Sequence, residues 1–165
     1  MDQLFILLVI LCALGSGAIG GVFFAFSNFV MPALARLAPA EGIHAMQAIN
    51  VTVLNRLFLG TFMGTGLLSL AAIVAALLRW DGIGSLCAVL GGATYVLGSI
   101  LVTMRGNVPL NNALMRVAQA DALGEAVWRN YLTDWTKWNT VRTIACLVAM
   151  VLFVVALIVW RSSQA

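Results

Sequence analysis

The sequence predicts an all-α fold: a four-helix transmembrane bundle with short amphipathic helices in its two long connections. Three observations predict it. Of the 165 residues, 62% are apolar and only 9% charged, far too little polar surface for a water-soluble domain. Mean hydropathy is +1.03. Four apolar stretches are each long enough to cross about 30 Å of hydrocarbon, which takes roughly 20 helical residues.

Those stretches are residues 4–29, 53–78, 83–104 and 141–160. Backbone groups in lipid must bond internally, and the stretches lack the alternation of a barrel strand, so helices are expected. The first begins right after Met1-Asp2-Gln3. It has no basic leader and is too long for the core of a signal peptide, so it reads as a retained span. Residues 79–82, Arg-Trp-Asp-Gly, form a tight turn that makes the second and third spans antiparallel neighbours. The segment 31–52 opens with Pro32 and carries a short helix around residues 41–50. The segment 105–140 is the longest. Leu110, Leu114 and Val117, then Leu123, Val127, Tyr131 and Trp135, recur at helical spacing, as in amphipathic helices at an interface, the second running into the fourth span. Pro109 is expected to end or redirect the third span. The whole chain, 1–165, reads as one membrane domain.

Glycines at small-residue spacing (Gly17 with Gly21, Gly60 with Gly64, Gly84 with Gly92) would let helices pack closely. Cys12, Cys87 and Cys146 are isolated in apolar runs, without CxxC spacing, and act as small hydrophobes. With one histidine and no paired carboxylates, no metal site is expected. The net charge of +3 is scattered, which gives no support for nucleic-acid binding. Lys and Arg are biased instead. Arg79 and Arg161 fall on the side of the termini, while Arg36, Arg56, Arg105, Arg116, Arg129, Lys137 and Arg142 fall on the other. This predicts a cell (inner) membrane protein with the long connections in the cytoplasm and both termini outside. Membrane lipids are the expected surroundings, and a homo-oligomer stays open.

Polar side chains are distributed lopsidedly. Asn28, Asn50, Asn55, Asn107, Asn111, Asn112, Asn130 and Asn139 all lie near one membrane face, joined there by Gln47, Arg56, Arg105 and Arg142. Trp135, Trp138, Asn139 and Arg142 share one helical stripe about 100° wide at the entrance to the fourth span. Helix capping and tryptophan anchoring explain single members of such a set. Several amides and guanidinium groups at one bundle mouth point also to a binding site for a small, flat, hydrophobic aromatic ligand.

The stretches Phe26-Ser-Asn-Phe-Val-Met-Pro-Ala-Leu34, Ala45-Met-Gln-Ala-Ile-Asn50, Asn107-Val-Pro-Leu-Asn-Asn112 and Trp128-Arg-Asn-Tyr-Leu-Thr-Asp-Trp-Thr-Lys-Trp-Asn-Thr-Val-Arg-Thr143 resemble the anthrone-oxygenase-like membrane family. The resemblance runs from about Gly15 into the fourth span. It implies a membrane oxidoreductase that oxidises a planar phenolic or quinone-like molecule of the anthrone type. No cofactor is implied; O2 would be the co-substrate. Such chemistry needs donors for a developing oxyanion, for which Arg142, Asn139, Asn107 and Arg105 are the candidate catalytic residues. Gln47, Asn50, Asn55, Arg56, Asn111, Asn112, Trp135, Trp138 and Asn28 are then the candidate substrate-binding residues, with the tryptophans stacking on the ring. A general base is not evident: His44, Glu41 and Asp134 are the nearest groups, all expected at the interface. The alternative is a non-enzymatic membrane protein whose Asn/Arg cluster binds a lipid headgroup or a partner protein.

Overall fold

A computed structural model describes residues 2–118 and 121–162; Met1, Gln119, Ala120 and residues 163–165 lie outside that description, as do the side chains of Asp2, Arg161 and Ser162. Five helices follow one another: α1 (Gln3–Leu34), α2 (Pro39–Thr52), α3 (Arg56–Leu78), α4 (Ile83–Met115) and α5 (Ala122–Trp160). Four of them, α1, α3, α4 and α5, are long and apolar enough to cross a membrane. They pack in a ring in which α1 adjoins α3, α3 adjoins α4, α4 adjoins α5, and α5 returns to α1. Every neighbour in that ring is antiparallel. The short turn after Leu78 therefore lies at one end of the bundle, and both longer connections lie at the other.

The amphipathic segments of the second long connection are helical: the second runs into the fourth span as expected, and the first, instead of standing apart, continues the third. Helix α4 runs eleven residues past the expected boundary at 104, and α5 starts nineteen residues before 141. At 1.5 Å per residue the 39 residues of α5 extend about 58 Å, nearly twice the hydrocarbon thickness. The ends of α1, α4 and α5 thus project from the spanning part and, with α2, form a head.

Pro109 does not end α4. The turn before it widens over Thr103–Asn107, where the Val108 amide reaches back five residues to the Thr103 carbonyl. Pro32 is accommodated in the same way, after a widened turn over Phe26–Val30 with Met31 N–H bonded to Phe26 O. A π turn displaces the carbonyl against which a proline ring would clash, so the helix axis survives. Further π turns cover Val96–Leu101 and Tyr131–Trp135.

Two hydrophobic cores result. The spanning part is filled by Phe5, Val9, Ile19, Phe23, Phe62, Tyr95, Phe153 and smaller residues. The head is filled by Met31, Ile43, Met46, Leu114, Trp128, Tyr131 and Trp135. Close backbone approach is needed at Gly92, where a Cβ would lie 2.8 Å from the Ser69 carbonyl, and at Gly98, where it would meet the Ala145 Cβ at 2.5 Å. Of the glycines expected to mediate packing, Gly21, Gly60 and Gly64 instead face open space, because they lie on outward faces of α1 and α3.

Candidate functional site: a cavity between the two cores

Between the cores lies a layer of buried polar side chains, and a cavity of about 210 Å3 opens within it. Its walls are Phe23 and Phe26 of α1, Met46 and Ile49 of α2, Phe58 and Phe62 of α3, and Trp135 of α5. Phe26, Thr103 and Trp135 reach it from π turns, which re-aim side chains that a regular helix would direct elsewhere.

The inner end is polar. Arg142 is only 5% exposed. Its Nη1 donates to Thr103 Oγ1 at 3.1 Å and its Nη2 to Asn139 Oδ1 at 2.7 Å. The Phe23 ring lies 4.0 Å from the guanidinium carbon and the Trp135 ring 5.4 Å, on the scale of cation–π contacts. Among the described residues no carboxylate pairs with Arg142, whereas Arg129 with Glu125 and Lys137 with Asp134 pair at the surface. A buried guanidinium without a counter-ion is costly.

Asn139 holds Arg142 in place. It is fully buried, and its Nδ2 donates to the Phe23 carbonyl at 2.6 Å and to Ser27 Oγ at 2.7 Å. Both ends of its amide are therefore committed. Asn111 accepts at Oδ1 from Tyr131 Oη (2.8 Å) and Trp135 Nε1 (2.7 Å), which leaves its donor end available to a ligand. Arg142 Nε and Asn50 Nδ2 are buried without an acceptor, and both residues line the cavity. Buried donors of that kind usually find a partner, in protein, water or ligand.

Of the thirteen residues singled out in the sequence, Asn50, Asn111, Trp135, Asn139 and Arg142 come together at the cavity. Asn107 is buried nearby but donates to the Trp135 carbonyl at 3.1 Å, tying α4 to α5. Gln47 donates to the carbonyls of Leu114 and Val117 and so fastens α2 to the end of α4. Asn55 caps α3, accepting from Phe58 N–H at 3.0 Å. Asn28, Arg56, Arg105 and Asn112 are exposed and do not line the cavity. Trp138 is 44% exposed and packs over Gly106 rather than the cavity, because at about 100° per residue it lies at the outer edge of the stripe, a full helical step away from Asn139. His44, Glu41 and Asp134 are exposed outside the cavity. Thr103 and the phenylalanine walls carried no polar or spacing signal that would have marked them. Among the described residues, no His, Cys, Asp and Glu side chains gather as a metal site would require.

The sequence model of the family described as Anthrone oxygenase matches residues 54–152, well over half of the chain. The chain belongs to the anthrone oxygenase family. The match takes in α3, α4 and most of α5, and with them Thr103, Asn111, Trp135, Asn139 and Arg142. No curated protein and no solved structure matches the chain.

Proposed function

We propose that this anthrone oxygenase family member is a membrane oxidoreductase that oxidises a planar, hydrophobic phenol- or quinone-like molecule with O2. One observation carries the reading: a buried guanidinium, Arg142, that lacks a carboxylate partner and closes an aromatic-walled cavity. A phenolate or enolate oxygen supplies the charge and the acceptors that this group lacks. Arginine stays protonated in proteins and offers five donors, so it can hold such an oxygen while keeping its bonds to Thr103 and Asn139.

The chemistry follows from what the walls contain. No histidine or carboxylate lines the cavity, so the C–H proton passes to water, favoured by the adjacent positive charge, and returns when reduced oxygen is released as water. The resulting electron-rich anion gives electrons to O2 directly. In net terms a ring-flanked CH2 and one O2 become a carbonyl and one water. Arg142, with the donor ends of Asn50 and Asn111, stabilises the oxyanion; Phe23 and Trp135 flank the ring. Asn139 is a positioning residue, acting through Arg142. The competing reading, a headgroup or partner site, draws on the mutual hydrogen bonds of Asn139, but the mainly apolar lining favours a ring over a phosphate.

Binding is read from tryptophan fluorescence, and turnover from oxygen uptake with an anthrone. A phenol or quinone probe should give saturable quenching that Trp135→Phe removes in part and that Trp80→Phe, on the exposed turn, leaves unchanged. A panel of such rings that produces neither quenching nor oxygen uptake would overturn the reading.

The same proposal places the head in the cytoplasm and the termini outside the cell membrane. Arg36, Arg56, Arg105, Arg116, Arg129 and Lys137 are exposed at the head end, against Arg79 at the other. Cysteines introduced at exposed Ala118 and Trp80 should react with an impermeant reagent from opposite sides of intact cells. Labelling of both from outside would refute the orientation.

A further inference from the structure

The cavity is small for three fused rings. A cavity of roughly 150 Å3 with apolar walls accommodates benzene, so about 210 Å3 encloses a substituted single ring or a compact pair. Anything larger must extend through the opening. That opening is apolar: among the lining residues, Val22 on α1, Leu54 just before α3, Leu59 on α3 and Val108 on α4 are exposed. The polar end is carried by Thr103 on α4 and by Asn139 and Arg142 on α5. In the helix ring, α4 and α5 lie across from the α1–α3 boundary. The cavity is therefore polar where α5 and Thr103 of α4 meet, and three of its four exposed apolar rim residues belong to α1 and to the start of α3, with Val108 of α4 the fourth.

Building on the reading of this cavity as a ring-binding site, we propose that its ligand is a tailed amphiphile. An oxygen-bearing head of one or two rings sits against Arg142, and a linear hydrocarbon tail leaves between α1 and α3 into the bilayer. The tail exchanges one apolar environment for another, so it adds little affinity per lipid. Its signature is tolerance: a long tail binds only if there is a way out.

The test uses the full-length protein in nanodiscs of fixed lipid content. One probe is a dimethoxy-methyl-benzoquinone without a tail, and the other is the same ring with a decyl tail. Quenching that depends on Trp135 is read against the measured amount of probe per lipid. Both probes should bind with affinities within about threefold of each other. Narrowing the opening by Leu59→Phe, or by Val22→Phe on the facing wall, should weaken the tailed probe about tenfold, the scale of local overpacking. The tail-less probe should stay within about twofold. Failure of the tailed probe to bind the unmodified protein would overturn the tail exit and leave the ring site standing. So would equal losses for both probes in both variants, or no loss for either. If neither probe quenches Trp135, the ring site itself fails, and the tail exit with it.

Discussion

Arg142→Met should abolish ligand-dependent quenching of Trp135 while leaving the unliganded protein close to its original stability. Truncating one partner of a buried, hydrogen-bonded charge pair costs on the order of 2–5 kcal/mol, about thirtyfold or more in affinity. Stability responds differently. The variant strips Asn139 Oδ1 of its donor, an orphaned acceptor worth about 1–3 kcal/mol. It also removes a buried charge that no carboxylate neutralises, and exchanging buried charge for apolar volume is often neutral or favourable. The two effects oppose each other. Arg105→Met, at an exposed guanidinium outside the cavity, should change neither binding nor stability. A complementary variant is Asn139→Asp, which sets a carboxylate beside the guanidinium and so supplies the missing counter-charge internally. It should lower affinity for a phenolate although Arg142 is intact. Undiminished affinity in Arg142→Met would remove the central premise.

Neighbouring asparagines should part company just as sharply. Asn111→Ala withdraws one oxygen that serves two donors, Tyr131 Oη and Trp135 Nε1, on side chains 1% and 5% exposed. Each stranded donor costs about 1–3 kcal/mol, giving a total on the order of 2–6 kcal/mol. Asn112→Ala alters an exposed side chain and should stay within about 0.5 kcal/mol. Thermal or denaturant unfolding in detergent measures both. Similar midpoints for the two variants would contradict the hydrogen bonding assigned to Asn111.

The bundle was legible because hydrocarbon permits few structures: 18 or more apolar residues in a row leave little choice but a helix. The polar layer was legible because every asparagine falls toward one end. Which members of that layer face inward was not. Spacing arguments assume a constant turn, and the π turns over Phe26–Val30, Thr103–Asn107 and Tyr131–Trp135 break that assumption where the cavity forms. Trp138 fails for a simpler reason: a stripe about 100° wide has edges, and Trp138 sits on the outer one while Trp135, Asn139 and Arg142 face the cavity. Arg56 and Arg105 look like site residues only because charge near a span is suggestive, whereas the projecting head gives them water to reach. Helices α4 and α5 outran their expected ends for the same reason, since hydropathy detects the membrane and not the length of the helix. The anthrone oxygenase resemblance, read from short stretches, was the part that the family match carried over directly.

The hydrogen bond from Asn139 to the Phe23 carbonyl joins groups 116 residues apart. Among the five helices described, Phe23 belongs to the first to leave the ribosome and Asn139 to the last. Spans enter the bilayer as separate helices before they pack, and synthesis proceeds at about 5–20 residues per second. During that interval α1 has no α5 beside it, and the Phe23 ring has no cation to face. No partial chain, however far synthesis has gone through α4, contains a cavity closed by Arg142. Insertion of α5 thus closes the ring and completes the binding chamber in one event, so the chamber is acquired only when α5 packs.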